Sequence, residues 1–307
     1  MPETSELADL YSAIEKSAGL HGVPYSHDKV RSVLTAYKDA VTAPHTMIAF
    51  RMGTGRRYES DVDWRFSVPQ ETDPYAVALA NGLTESTDHP LHSLFAEVVE
   101  RTDAVGHGID FGASHGFKKI YVLYSPNDME PLSTLADLPS MPKSLAGNYD
   151  FFARHGMGGK QLMMFALDYQ HRTVNVYING LSAESLTEQN LRSVFRDLEL
   201  PEPSERLLKL GERAAGVYAT LSWDSPKVER FCFTNVAKDP GDLPVPMEPK
   251  IKKFLASIPR RTPDDTFLYY VAMSSTGEEL YKFQWYYRFP TWLNPMLQSD
   301  TAENQGN

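Results

Sequence analysis

The sequence predicts an α+β fold, a closed ten-stranded antiparallel β-barrel surrounded by α-helices and built from five ααββ-like repeats. Three observations point to it. Five segments read as paired strands, the intervals between them are nearly constant, and amphipathic helical patterns fill those intervals. One barrel domain is expected over residues 1–297, with 298–307 as a disordered tail.

Each paired segment holds two half-alternating apolar runs, rich in β-branched and aromatic residues, around a polar turn. In order they are Met47–Val68 with Gly53-Thr54-Gly55 in the turn, Ile109–Tyr124 turning at Ser114–Gly116, and Met163–Ile178 turning at Tyr169–Arg172. Val217–Val236, turning at Asp224–Pro226, and Leu268–Tyr287, turning at Thr276-Gly277, complete the set. Turn centres lie 58, 55, 56 and 51 residues apart, which marks a structural repeat even though the letters differ. Helices are expected where Leu7, Leu10, Tyr11 and Ile14, then Val30, Val33, Leu34 and Tyr37, then Leu191, Val194, Phe195 and Leu198 recur at helical spacing. A capping box from Ser185 to Glu188 would start the third of these, and the last helix, around Ile251–Ile258, is short. Ten sequentially paired strands could stay open, but closure removes both edges and leaves a lumen wide enough for a ligand.

The 307-residue chain is 42% hydrophobic and carries a formal net charge of −10. That sign excludes a general nucleic-acid or anionic-membrane binder, so any anion site must be a local concentration of Lys and Arg. No apolar run approaches the roughly 20 residues of a membrane helix, and the start lacks a secretory apolar segment. A cytoplasmic monomer acting on small molecules is expected. Cys232, the single cysteine, excludes an internal disulfide and a cysteine-rich zinc site.

Side chains alternate across a strand, so each hairpin sorts into two faces. Lys119, Tyr121 and Leu123 oppose Ile120, Val122 and Tyr124; Asn175 and Tyr177 oppose Val174, Val176 and Ile178. Arg230, Cys232 and Thr234 oppose Phe231 and Phe233, while Lys282, Gln284 and Tyr286 oppose Phe283 and Trp285. Arg51 is in step with Met47 and Ala49, and Asp63 with Arg65 and Ser67 against Trp64 and Phe66. Helices would bury the apolar set. The other set, with Arg51, Arg65, Lys119, Arg230 and Lys282, faces a lumen or, were the sheet open, solvent. Tyr121, Tyr177, Tyr218 and Tyr286 share that face and tilt the reading toward a lumen, where guanidinium, ammonium and phenol suit an anion on an apolar tail.

Several segments, in order, resemble the ABBA aromatic prenyltransferases, soluble bacterial enzymes named for an ααββ repeat that closes a ten-stranded barrel. They are Asp73-Pro74-Tyr75-Ala76 with Gly82-Leu83, Gly116-Phe117-Lys118-Lys119, Leu138-Pro139-Ser140-Met141-Pro142, Phe152-Ala153-Arg154, Val174-Asn175-Val176-Tyr177, Thr220-Leu221-Ser222-Trp223 and Arg230-Phe231-Cys232-Phe233. The likeness runs over nearly the whole chain. It implies transfer of a dimethylallyl or geranyl group from its diphosphate to a carbon of an electron-rich aromatic, such as a hydroxynaphthalene or quinone polyketide or a phenazine, with release of pyrophosphate.

Carried over by position, the diphosphate-binding set resembles Lys119, Asn175, Tyr218, Arg230 and Lys282. Asp63 matches the carboxylate that touches metal in the magnesium-dependent branch. Arg51 and Arg65, however, stand where that branch has small hydroxyl residues, which resembles the magnesium-independent members. No cofactor is therefore expected, with Asp63 the metal contact should magnesium be used. The resemblance assigns Met163, Met164, Gly216, Thr234, Tyr269, Gln284 and Tyr286 to the acceptor end.

Allylic diphosphates react by loosening a C–O bond, so a departing pyrophosphate and an allyl cation must both be stabilised. Arg51, Arg65, Lys119, Arg230 and Lys282 would hold the leaving group, with Asn175 and Tyr218 as neutral donors. The faces of Tyr121, Tyr177 and Tyr218 would shield the cation, each by roughly 0.5–2 kcal/mol. A closed lumen excludes the water that would quench it. Other signals fall away. Gly156-Met157-Gly158-Gly159-Lys160 lacks the Ser or Thr of a phosphate loop, Pro142 breaks Ser140-Met141-Pro142-Lys143, and Asp264-Asp265 has no third aspartate to make a magnesium cluster. A non-catalytic barrel carrying an anionic apolar ligand is the competing class, and pyrophosphate release separates the two.

Overall fold

The computed structural model describes residues 5–55, 61–257 and 266–290. The expected tail over 298–307 and the Asp264-Asp265 pair lie outside these residues. Ten strands follow the expected pairs: β1 (Ile48–Gly53) and β2 (Asp63–Val68), β3 (Gly106–Gly112) and β4 (Gly116–Leu123), β5 (Lys160–Asp168) and β6 (Thr173–Asn179), β7 (Gly216–Ser222) and β8 (Arg230–Ala237), β9 (Phe267–Ser274) and β10 (Glu279–Arg288). Every neighbouring pair is antiparallel. β4 pairs with β5 and β1 with β10, so the sheet closes on itself. A two-residue strand, Glu130–Pro131, adds to the start of β5. In the tight β3–β4 turn, Gly116 has φ +77°, which a side chain would resist.

Closure leaves two faces, and they separate as alternation requires. Trp64, Phe231, Phe233 and Phe283 belong to the outer core, packed beneath helices. Val30, Val33 and Leu34 of helix His27–Ala36 and Leu191, Val194 and Phe195 of helix Glu188–Asp197 supply the covering stripes. Phe195 meets Phe231 and Phe233 at ring-centroid distances of 6.2 and 6.0 Å. Each such side chain buried stabilises the fold by roughly 1.5–3 kcal/mol. The Trp64 indole N–H donates to Ser17 Oγ at 3.0 Å, tying β2 to helix Ser5–His21. A smaller inner cluster gathers Tyr121, Ala166, Tyr177, Tyr218, Cys232, Leu268, Tyr270, Ala272 and Leu280.

Three details depart from the sequence reading. Helix Glu188–Asp197 starts after Thr187, and Ser185 lies in a 3₁₀ turn, so the Ser185–Glu188 capping box does not form. Strict alternation also fails at two β-bulges. Between β3 and β4 the register jumps from Asp110↔Lys119 to Phe111↔Phe117, which leaves Lys118 as an extra residue. Between β5 and β6 it jumps from Leu162↔Ile178 to Met164↔Tyr177, leaving Met163 unpaired. Each bulge turns two consecutive side chains toward the lumen.

Candidate active site

The lumen holds two cavities of opposite character that share Tyr177 in their walls. The polar one, about 200 Å³, sits where the β-hairpins turn, because its residues come from the hairpin-side halves of the strands. The apolar one, about 90 Å³, sits where the strands connect to the helices.

Arg51, Lys118, Lys119, Arg230 and Lys282 line the polar cavity together with Asn175, Tyr177 and Tyr218. Carboxylates temper this charge. Lys118 Nζ lies 2.8 Å from Asp61 Oδ2 and 2.6 Å from Asp63 Oδ1. Asp61 also accepts from the backbone N–H groups of Val62 and Ser114 at 2.9 and 2.8 Å, and lies 2.9 Å from His115 Nδ1. Lys119 Nζ stands 2.8 Å from Asp168, which His171 approaches at 3.1 Å. Burial opposes ionisation of Asp63, but Lys118 and Arg51 overcome it and hold its carboxyl well below the usual carboxylate range. Lys118 is penalised by burial in the same way and is kept protonated by Asp63 and Asp61.

On the opposite wall, Lys282 Nζ donates to the Tyr218 hydroxyl and lies 4.6 Å from the Tyr218 ring centroid and 4.7 Å from that of Tyr270. Asn175 Nδ2 donates to the Tyr177 hydroxyl at 3.3 Å. The Nε of Arg230 is sealed from solvent and has no hydrogen-bond partner, and no carboxylate pairs with this guanidinium among the described residues. Arg230 itself is half-buried, and leaving that inner N–H unsatisfied costs roughly 1–3 kcal/mol, which an anion reaching it would offset.

Between the cavities lies Asp110, fully buried and unforeseen from the sequence. Arg51 Nη2 pairs with its Oδ2, Arg65 Nε donates to its Oδ1 at 2.8 Å, and the Tyr121 hydroxyl donates to Oδ2 at 2.7 Å. The Arg65 guanidinium carbon lies 3.8 Å from the Tyr121 ring centroid. Two expectations change here. Arg65 lines the apolar cavity and not the polar one, because it stands two residues deeper on β2 than Asp63. Tyr121 lines neither cavity, since Arg65 covers its ring; the row Tyr121, Tyr177, Tyr218 exists, with centroid separations of 6.1 and 4.7 Å, but its open members are Tyr177 and Tyr218.

Met163, Met164, Gly216, Thr234, Gln284 and Tyr286 line the apolar cavity. Tyr269 does not. It points outward, where its hydroxyl donates to Glu248 beside Arg206, and Tyr270 takes the inward place because Leu268, Tyr270 and Ala272 are the lumenal set of β9. Tyr270 donates to Gln284 Oε1 at 3.4 Å, and Gln284 Nε2 donates to the Tyr286 hydroxyl at 3.2 Å. Burial pushes the Tyr286 phenol up to about 12 and Tyr270 higher still, so both stay neutral. Lys118, Asp110, Asp168 and Tyr270 are thus the residues that sequence reasoning missed. The bulge hid Lys118, but alternation puts Asp110 and Tyr270 on the lumenal face of their strands, opposite Lys119 and Lys282.

The chain with this cation-lined end and apolar end has known relatives. A family model for the aromatic prenyltransferase Orf2 matches residues 5–293. The chain belongs to that family. It is 40% identical to 5,10-dihydrophenazine-1-carboxylate 9-dimethylallyltransferase of Streptomyces anulatus, over 98% of this chain and all of the relative. Flaviolin linalyltransferase of Streptomyces virginiae is 41% identical over 95% of each chain, and the furaquinocin biosynthesis prenyltransferase of Streptomyces sp. (strain KO-3988) is 40% identical over 94% of each. The crystal structure of 5-dimethylallyltryptophan synthase from Streptomyces coelicolor superposes with a TM-score of 0.50 at 12% identity, covering 90% of this chain and 95% of that one, which speaks for the fold alone. Among the described residues no helix is long and apolar enough to cross a membrane.

Proposed function

We propose that this prenyltransferase, a single barrel domain acting as a cytoplasmic monomer, moves a dimethylallyl group from its diphosphate to a carbon of a hydroxynaphthalene, quinone or phenazine. The observation that carries the reading is the unpartnered, buried Arg230 Nε in a cation-lined cavity that meets an apolar one at Tyr177. Lys119, Asn175, Tyr218, Arg230 and Lys282 hold the diphosphate, with Arg51 and Lys118 beside them. As the C–O bond breaks, its electron pair leaves with pyrophosphate, and the cations are already placed to receive that charge. The faces of Tyr177 and Tyr218 shield the allyl cation. A ring carbon of the acceptor then bonds to the allyl carbon. No carboxylate lines the apolar cavity among the described residues, which leaves water or the departing pyrophosphate to take the ring proton.

Magnesium is not needed on this reading. Asp63 Oδ1 is held by Lys118 Nζ at 2.6 Å, and Arg51 Nη2 approaches Oδ2 at 4.0 Å. A divalent ion would have to displace a lysine. Incubation with dimethylallyl diphosphate and a panel of phenols tests the reading: pyrophosphate and a product heavier by one prenyl group are expected. An anion carrier would bind the donor and release no pyrophosphate.

A further inference from the structure

We infer that Arg65 selects the aromatic acceptor by taking up an ionised oxygen on it, so that the acceptor binds as a phenolate, enolate or carboxylate. The inference rests on the prenyl-transfer reading above, and it starts from where the guanidinium stands. Arg65 lines the apolar cavity, with its side chain 8% exposed. Its Nε is committed to Asp110 Oδ1 at 2.8 Å and one face to Tyr121. Its two terminal nitrogens have no hydrogen-bond partner among the described residues.

Charge makes this position unusual. Arg51 and Arg65 share the one Asp110 carboxylate, leaving one positive charge over. Arg51 has a second acid within reach, Asp63 at 4.0 Å on the polar side. Arg65 has none. A guanidinium with idle donors in a cavity otherwise lined by methionine, aliphatic, phenol and amide groups is poorly solvated, and an anion offered to it gains a charge-assisted bond that a neutral oxygen cannot match. Asp110 occupies only the Nε edge, so the fork's outer nitrogens are the part presented to a ligand.

An ionised oxygen on an aromatic ring also raises electron density at the adjacent ring carbon. Held by Arg65, a phenolate or enolate would offer that carbon toward Tyr177, where the two cavities meet. The ring carbon bonds to the allyl carbon as the C–O pair departs on pyrophosphate, and the ring proton goes to water. Arg65 exchanges no proton in this sequence; it orients the acceptor and keeps it ionised.

Steady-state kinetics of the full chain with dimethylallyl diphosphate test this with 2-hydroxy-1,4-naphthoquinone, an aromatic hydroxycarboxylate and neutral 1-naphthol. For Arg65→Gln the ratio of kcat/KM for an acidic acceptor to that for 1-naphthol should fall roughly 10- to 100-fold, the value of one charged hydrogen bond. Arg65→Lys, which keeps the charge, should recover part of it. In the wild type, KM for the acid should drop as pH rises through the acceptor's own ionisation, and Arg65→Gln should lose that dependence. The quinone and the carboxylate arms show which anion the site prefers. Equal losses for acidic and neutral acceptors, or a rise confined to the KM of the diphosphate, would place Arg65 with the donor and overturn the inference. Titration of the acids into donor-free enzyme separates the two readings. If the wild type transfers no prenyl group yet binds the acids more tightly than Arg65→Gln does, the transfer reading fails and the anion site stands; equal binding sinks the anion site.

Discussion

Asp110 is where the lumen's charge can be tested most sharply. Its carboxylate is fully buried and receives Arg51, Arg65 at 2.8 Å and the Tyr121 hydroxyl at 2.7 Å. Asp110→Ala leaves two buried guanidiniums with no shared counter-charge, and breaking a buried pair from one side costs about 3–5 kcal/mol. The orphaned Tyr121 hydroxyl adds about 1–3 kcal/mol. Arg51 recovers part of this through Asp63, already 4.0 Å away, so a net loss of about 4 kcal/mol is expected. Asp110→Asn keeps one acceptor oxygen, which Arg51 and Tyr121 can share, but loses the charge and turns an NH2 toward Arg65, so its loss should be smaller than that of the Ala variant without vanishing. Urea unfolding followed by tryptophan fluorescence measures both through the shift in midpoint. Inorganic pyrophosphate should restabilise the Ala variant more than the wild type, because it binds a folded state whose cations have lost their partner. An Asp110→Ala variant within about 1 kcal/mol of wild type would refute the reasoning, since the two arginines would then not depend on this carboxylate.

Arg230→Ala and Lys282→Ala should each lower turnover by roughly 10²–10³, the loss of one preorganised donor to a leaving group, measured as pyrophosphate release. Wild-type activity should survive excess chelator, whereas Lys118→Ala, which uncovers Asp61 and Asp63, should create a dependence on added magnesium. Gly216→Ala should cost about 1–3 kcal/mol and weaken acceptor binding, because its methyl would fall 2.2 Å from Asn179 Oδ1 and 2.9 Å from the Ile178 carbonyl oxygen. Asp63 has a folded pKa below its unfolded one, so its stabilisation is present above the ordinary carboxylate range and is lost as pH falls through and below it. The acid limb of the stability profile, between about pH 5 and 2, should flatten in Asp63→Asn.

Much of this architecture was legible because a barrel repeats one simple rule. Alternation along β4, β6, β8 and β10 sorted Lys119, Asn175, Arg230 and Lys282 inward and Ile120, Val174, Phe231 and Phe283 outward, and burial follows that division. Where the rule broke, a physical cause stood behind it. A bulge adds one residue and shifts the alternation along its strand, so Lys118 and Met163 could not be placed by counting. Tyr269 came from resemblance and disagreed with its own strand's parity, which would have chosen Tyr270. Asp110 shows itself only in three dimensions, as the acid that makes two neighbouring arginines tolerable in a closed space.

That acid also divides labour between the two arginines. Read as two positive charges on the lumenal face, Arg51 and Arg65 were equivalent candidates for neutralising a diphosphate. The fold separates them by depth on adjacent strands, with Arg51 opposite Asp63 and Arg65 opposite Ala49. Asp110 then binds one nitrogen of each, with Arg51 Nη1 also donating to the Tyr121 hydroxyl at 3.4 Å, so that Arg51 lines the polar cavity and Arg65 the apolar one. Guanidinium suits this role better than ammonium because its donors diverge in one rigid plane and can serve a carboxylate and a ligand together. A lysine at either place would divide its single nitrogen between Asp110 and a ligand, and so could serve the ligand only in part. The arrangement therefore puts a fixed positive charge on each side of the point where Tyr177 joins the cavities, one on the cation-rich side and one on the apolar side.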